Sequence, residues 1–187
     1  MKFCNQCAAP VIAKIPPGDN RVRFVCESCQ TIHYQNPKLV AGCLPVWQDR
    51  ILLCKRAIEP RYGLWTLPAG FMENHETTEQ AAMRETWEEA EAKVVNLQLY
   101  TVFSLPHISQ VYFMFRAELP EPKFAPGSES LEVALFSEAE IPWDNIAFPV
   151  IRQTLSQYFS DKVSNYFPVH VANVIKPLKD QCIHSTS

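Results

Sequence analysis

Gly70-Phe71-Met72-Glu73-Asn74-His75-Glu76 leads into Thr77-Thr78-Glu79-Gln80-Ala81-Ala82-Met83-Arg84-Glu85-Thr86-Trp87-Glu88-Glu89, and the reading of this stretch decides the fold. From residue 78 to about residue 92 the chain is rich in Glu, Ala, Met and Arg and holds no Pro or Gly, which predicts its best helix. Thr77, with Gln80 three residues on, fits a capping box for the helix start. Upstream, residues 64–69 read as a short strand ending at Gly70. At about 100° per residue, Glu88 falls about 60° to one side of Glu85 and Glu89 about 40° to the other, so three carboxylates share one face. Like charges that close repel and require a positive group nearby. Hard oxygen donors in this pattern suit Mg²⁺ or Mn²⁺. The alternative is a solvated acidic face.

Working outward, residues 39–46 and 50–55 read as strands joined by a turn at Gln48-Asp49. Residues 94–103, 110–118 and 131–136 read as further strands, 120–130 as a Pro- and Ser-rich loop, and 150–159 as a second helix. Residues 166–175 are apolar enough to pack somewhere or to pair two copies of the chain, whereas 179–187 look frayed. The 187 residues suffice for one domain plus a small addition, and 47% apolar content supports a sizeable core. With 17 Lys and Arg against 20 Asp and Glu, the formal charge is -3. That balance argues against a dedicated nucleic-acid or anionic-membrane binder. The longest apolar run, residues 39–47, is too short to span a bilayer. The start has no apolar signal-peptide core, which leads to the expectation of a cytoplasmic protein. With only 5 glycines and neither G-x-G-x-x-G nor a P-loop motif, dinucleotide-fold and P-loop readings are excluded.

Four of the 7 cysteines form two pairs, Cys4-x-x-Cys7 and Cys26-x-x-Cys29. Two such turns can present four thiolates to one tetrahedral ion, the pattern of structural zinc. Disulfides or free thiols are the alternatives. Cys43, Cys54 and Cys182 remain as an odd set, which speaks against a disulfide framework and fits small buried hydrophobes. Residues 1–35 contain few core candidates, so zinc would supply the stability that apolar burial cannot. Pro16-Pro17-Gly18-Asp19-Asn20 reads as the turn between two strands of a ribbon. With all four ligand positions Cys, no position is open for catalysis. Lys14, Arg21, Arg23 and Lys38 look scattered and read as a solvated face before a nucleic-acid contact.

Gly70, Glu76 and Arg84-Glu85-x-x-Glu88-Glu89 stand at the spacing of the Nudix box, G-x5-E-x7-R-E-U-x-E-E-x-G-U, and residues 62–73 resemble that family's run into the box. Two positions depart from the pattern: Thr86 replaces an aliphatic residue and Glu91 replaces a Gly. Thr86 keeps a methyl for packing, and Glu91 should let the helix run on toward Ala92 and Lys93. The resemblance implies an α+β fold, an α/β/α sandwich around a mixed β-sheet, with a zinc ribbon at 1–35, the Nudix domain at 36–160 and a partly ordered tail at 161–187. It implies a pyrophosphohydrolase using Mg²⁺ or Mn²⁺, held by Glu85, Glu89, the carbonyl of Ala69 and, directly or through water, Glu88. Gly70, Glu76 and Arg84 would be structural members of the box. A further carboxylate outside it would serve as base, and Glu129 is preferred to Glu132.

A four-Cys ribbon followed by a Nudix domain resembles two groups, the NADH pyrophosphatases, which also act on NAD-capped RNA, and shorter zinc-ribbon proteins associated with ADP-ribose and FAD. The first group carries S-Q-P-W-P-F-P beyond the box, which residues 102–110 lack, and the length also fits the second group. The expected substrate is therefore a small nucleotide, ADP-ribose or FAD, releasing AMP. NADH or an NAD cap is the alternative, and a non-catalytic ligand sensor that binds DNA is a third reading. For such substrates Tyr62, Trp65, Phe103 and Tyr112 are candidates to stack a base, Arg56 and Arg61 to hold phosphate, and His107 could approach from its loop. The expected partners are this substrate and a possible second copy of the chain, with no membrane, and with nucleic acid disfavoured.

Overall fold

In the computed structural model, residues 1–174 are described, and the chain divides after Pro37 into two compact units. The first is a three-stranded antiparallel sheet of β1 (Val11–Lys14), β2 (Arg23–Cys26) and β3 (Ile32–His33). Its buried apolar residues are few: Cys4, Pro16, Val25 and Cys26. The Asp19 carboxylate ties the β1–β2 turn to the sheet through Arg23 at 2.8 Å.

The second unit is built on a mixed sheet. Its strands are β4 (Lys38–Trp47), β5 (Arg50–Arg56), β6 (Trp65–Thr66), β7 (Ala69–Phe71), β8 (Val95–Leu105), β9 (Gln110–Glu118), β10 (Ser130–Phe136) and β11 (His170–Asn173). The order β10-β5-β4-β9-β8-β11 carries β6 on β5 and β7 on β4. The β4–β9 and β8–β11 pairs are parallel and the rest antiparallel. Helices α1 (Thr78–Ala90) and α2 (Pro149–Ser164) cover opposite faces, as the period-2 alternation of the strands requires. Ala41, Cys43, Leu52 and Cys54 pack with Ala81, Ala82 and Ala90 of α1. Leu44, Ile51, Leu53 and Met114 pack with Ile151 and Leu155 of α2. Each fully buried Leu or Ile contributes about 1.5–3 kcal/mol, so this unit needs no metal to hold its core. The expected α/β/α sandwich is what the chain forms.

Several elements differ from expectation. The strand expected at 64–69 is two short strands separated at Leu67-Pro68. Helix α2 runs on to Ser164, past the expected end at 159. Helix α1 stops at Ala90 and does not continue to Ala92 and Lys93, because Glu91 itself takes the left-handed conformation (φ 46) and donates its N–H to the Trp87 carbonyl. The apolar stretch at 166–175 is partly spent within the chain: β11 pairs with β8, and Phe167, Ala172 and Val174 pack on the core, while Tyr166, Val169 and Val171 stay exposed. The frayed end expected at 179–187, with Cys182, lies outside the described residues. Cys43 and Cys54 are buried, and burial pushes the Cys43 thiol up to about 12, so both behave as small hydrophobes. Among the described residues no helix is long and apolar enough to cross a membrane.

Candidate active site

Strand β7 delivers the turn in front of α1. It lies antiparallel on β4, with Gly42 opposite Ala69 and Ala41 opposite Gly70. A Cβ on Gly42 would come 2.3 Å from the Ala69 side chain, and one on Gly70 would come 2.3 Å from a Glu85 carboxylate oxygen. Only hydrogen at Gly70 lets the carboxylate of the next element reach the turn. The capping box then fixes where α1 begins: the Gln80 N–H donates to Thr77 Oγ1 at 3.2 Å, and the Thr77 N–H to Gln80 Oε1 at 2.8 Å. Thr86 is fully buried with its hydroxyl donated to the Ala82 carbonyl at 2.7 Å. Its substitution for an aliphatic residue therefore leaves no unpaired polar group.

The positive group that the acidic face requires is Arg84. Its guanidinium grips Glu76 through two bonds of 2.8 and 3.0 Å, and reaches Glu85 at 2.7 Å, Glu88 at 3.1 Å and the Phe71 carbonyl at 3.1 Å. Arg84 holds the Glu76 carboxyl below its usual range. One planar cation thereby locks the loop, its entry strand and two of the three helix carboxylates into one geometry.

The three carboxylates sit at different depths. Glu88 is exposed, Glu85 is half-buried, and Glu89 is only 7% exposed. Burial pushes the Glu89 carboxyl up to about 8; the charges of Glu85 and Glu129 add to the rise, while Arg56 and the Ala69 N–H oppose it. Burial also raises Glu85 against the pull of Arg84. Both groups are held where a cation would relieve their desolvation and mutual repulsion, and the donor set suits a hard divalent ion. With Arg84 holding Glu85 and Glu88, the carboxylate oxygens are not drawn to one point.

Glu129 approaches from the other side. The loop that carries it is pinned, where the sequence reads as a mobile segment. The Ala125 N–H donates to the Ala90 carbonyl at 2.9 Å, and the Gly127 N–H to the Glu89 carbonyl at 3.1 Å, which caps the open end of α1. A Cβ on Gly127 would lie 1.7 Å from the Glu88 carbonyl oxygen. The Ala57 N–H then holds the Glu129 carbonyl at 2.8 Å. Glu132 instead pairs with Lys55 at 3.4 Å. Gly127 escapes sequence reasoning because its requirement comes from a contact 39 residues away in the chain, at the Glu88 carbonyl.

The substrate candidates separate clearly. Arg56 ends β5 beside the cluster, with its charge felt by Glu89 and Tyr112, and its guanidinium lies 5.2 Å over the Phe148 ring. Arg61 is exposed and has no ion pair among the described residues. Trp65 and Phe103 are corrections: at 8% and 0% exposed they belong to the α2-side core, with Trp65 edge-on to Phe136, and neither has a free face for a base. Tyr62 is exposed, Tyr112 half-buried, and His107 exposed on a turn after β8. Phe148, half-buried at the start of α2, is an aromatic that the sequence reading did not consider. A cavity of about 540 Å³ lies elsewhere, walled by Trp47, Arg116, Tyr158, Lys162 and Phe167. None of the carboxylates lines it, so it is not this site.

In the first unit the four ribbon thiols converge. Cys4 and Cys29 sulfurs are 3.6 Å apart, Cys7 and Cys26 sulfurs 3.5 Å, and all four lie within 4.8 Å of one another. A tetrahedron with 2.3 Å zinc–sulfur bonds has edges of about 3.8 Å, whereas a disulfide would need about 2 Å. The donor set and spacing fit zinc.

Two family models match: "Nudix N-terminal", a zinc ribbon, over residues 2–35, and "NUDIX domain" over residues 36–154. Among curated proteins, the NAD-capped RNA hydrolase NudC of Photobacterium profundum is 29% identical over 82% of this chain and 58% of its own length. The protein of the same name from Salmonella paratyphi C is 32% identical over 75% of this chain and 53% of its own. The chain thus spans about half the length of the curated relatives it matches. A NUDIX hydrolase from Nitrosomonas europaea, known from a crystal structure, is 55% identical, covering 93% of this chain and all of its own, with a TM-score of 0.87. The NUDIX domain of Shewanella oneidensis NrtR, solved with ADP ribose, shares the fold at 18% identity, 69% and 90% coverage and a TM-score of 0.61. The box residues at their spacing, the sandwich they are built into and the matched length together place this chain in the Nudix hydrolase family, with that family's zinc ribbon in front of the domain.

Proposed function

We propose that the chain is a metal-dependent pyrophosphohydrolase that splits the diphosphate of a nucleoside diphosphate joined to a second moiety, ADP-ribose or FAD, and releases AMP. The observation that carries this reading is that buried Glu89 and half-buried Glu85 stand beside the Ala69-Gly70 turn within electrostatic reach of Glu129, with Arg56 offsetting the charge at Glu89. Mg²⁺ or Mn²⁺, when bound, supplies neutralisation of the diphosphate oxygens and a more acidic water. Glu85 and Glu89 would hold the ion, and the Ala69 carbonyl and Glu88, directly or through water, would be further donors. Glu129 accepts the proton of the attacking water on its carboxylate, at a position fixed by the pinned loop. Arg56 binds a phosphate oxygen, and Arg61, exposed on its turn, is the second cation available to the diphosphate. Tyr62, Tyr112 and Phe148 are the aromatics left to face a base once Trp65 and Phe103 are assigned to the core. Zn²⁺ on Cys4, Cys7, Cys26 and Cys29 is structural.

NADH or NAD-capped RNA is the second reading, and the curated relatives named NAD-capped RNA hydrolase favour it. The missing S-Q-P-W-P-F-P signature favours the first. Purified protein with Mg²⁺ or Mn²⁺ should be assayed for kcat/KM on ADP-ribose, FAD, NADH and NAD-capped RNA. Preference for ADP-ribose or FAD with AMP as product is the expected result. Preference for NADH or capped RNA replaces the substrate, and no turnover of any of the four sinks the hydrolase reading.

A further inference from the structure

The charges that look scattered along the ribbon sequence are not scattered in space. Arg21 and Arg23 line one cavity of about 270 Å³ together with Phe24, His33 and Gln35. Lys14, by contrast, is paired with Glu27 at 2.8 Å and is not among the residues lining it. Asp19 organises both arginines: it accepts the Arg21 N–H at 3.1 Å and the Arg23 Nε–H at 2.8 Å. That leaves the terminal amino groups of Arg23 and the whole Arg21 guanidinium without a carboxylate partner among the described residues. The Arg23 guanidinium also lies 5.0 Å over the exposed Tyr34 ring, which holds its plane in place.

One residue of the cavity wall, His33, carries a buried polar atom with nothing to bond. His33 is only 7% exposed, and its Nε2 has no hydrogen-bond partner. Buried polar nitrogens are ordinarily paired, because leaving one unpaired forfeits its hydration without return. Two guanidinium groups at a small cavity are a donor set that recognises an oxyanion. The space exceeds a bare phosphate and admits the sugar or base attached to it, with Phe24 as an apolar neighbour.

We propose that this ribbon cavity binds a phosphate group of a nucleotide, with Arg21 and Arg23 as donors and His33 in the wall beside them. It is independent of the hydrolase reading, since no residue of the box takes part. A free mononucleotide and the phosphodiester backbone of a polynucleotide present the same chemistry, and the test separates them.

Zinc-loaded full-length protein, ¹⁵N-labelled and in magnesium-free buffer, is titrated with inorganic phosphate, with AMP and with a short oligoadenylate RNA, while the His33 ring nitrogens and arginine Nε signals are followed by NMR. Saturable shifts at His33 are expected. Saturation by phosphate or AMP identifies a mononucleotide site, and saturation by the oligomer alone identifies a polynucleotide site. Arg21→Ala should weaken binding about tenfold; for the oligomer it should also lower the salt dependence by about one counterion. Arg21→Lys should recover part of the loss. Lys14→Ala removes the same charge outside the cavity and should change nothing. Unmoved His33 signals with every probe, or equal losses from Arg21→Ala and Lys14→Ala, overturn the proposal.

Discussion

The ribbon and the sandwich each crowd ionisable side chains together, and they resolve the crowding in opposite ways. In the ribbon, Cys4 and Cys26 are themselves among the few buried residues, so the thiol cluster is the core, and whatever binds it holds the unit together. In the sandwich, the carboxylates are mounted on a helix packed by Ala81, Ala82 and Ala90 against Ala41, Cys43, Leu52 and Cys54 of the sheet, and Arg84 already offsets part of their charge. One cluster has little apolar core beside it, so an ion would supply the missing stability; the other rests on a packed sheet and is left short of positive charge. A metal is structural in the first case and available for chemistry in the second.

The largest effect should come from breaking the thiol cluster. Cys26→Ser, or a strong chelator, should remove zinc and unfold residues 1–37, because zinc binding supplies about 10–16 kcal/mol of apparent folding free energy in small domains. Hydrogen exchange should show the loss of protection in β1–β3 only. If β4, β5 and α1 lose protection at the same chelator concentration, the two units are not energetically separate and the comparison fails.

Glu89→Gln applies the same test to the other cluster. Turnover should fall by at least about a hundredfold. Stability without metal should rise or stay unchanged, since the amide removes a buried carboxyl that resists ionisation. Thermal unfolding alongside kcat measures both, and a marked loss of stability would make Glu89 part of the scaffold.

Gly127→Ala addresses the pinned loop. With the Glu88 carbonyl oxygen 1.7 Å from the new methyl, loop and helix must part, at a cost of about 1–3 kcal/mol. The Gly127–Glu89 and Ala125–Ala90 bonds should weaken, and kcat should fall while KM changes less, because Glu129 moves and Arg56 does not. Equal changes in KM and kcat would assign the loop to substrate binding instead.

A smaller effect isolates the last strand. Asp161 accepts hydrogen bonds from Tyr100 and His170, both at 2.7 Å. Burial alone would raise its carboxyl, but these bonds outweigh it and hold it below the usual range. A depressed carboxyl adds stability above the unfolded pKa and loses it as pH falls through the folded value. Protection of β11 should therefore decline only in acid, below about pH 4, and Asp161→Asn should remove that dependence. Protection that declines identically in both proteins would leave β11 held by its backbone pairing to β8 alone.

What the sequence discloses follows the range of the interactions. The capping box, the β4–β5 hairpin and the acidic face of α1 rest on spacings of a few residues, so all are readable along the chain. The thiol quartet is readable because two local turns suffice to define it. Phe103 and Trp65 misled because an aromatic near the motif looks the same in a core as in a site, and only the α2 packing distinguishes them. Phe148 and Gly127 were missed for the complementary reason. Each matters through an element distant in sequence, Arg56 for the one and the end of α1 for the other.

The end of α1 sharpens the comparison further, since there a local rule was applied correctly and still gave the wrong boundary. Without the expected Gly, the helix should have continued; it stops because the Glu89 and Ala90 carbonyls are taken by the loop at 125–127, and Glu91 accepts a left-handed backbone to allow it. A non-glycine residue there carries strain that Gly does not. Glu91→Gly should therefore stabilise the sandwich by about 0.5–1 kcal/mol, less the extra freedom that Gly has when unfolded. Turnover should not change, because the carbonyls that position Gly127 and Glu129 stay where they are. Denaturant unfolding measures the gain, and a loss of stability would mean that the Glu91 side chain contributes more than its backbone costs. The same substitution leaves the ribbon's zinc content untouched, as it must if each cluster answers only to the unit that contains it.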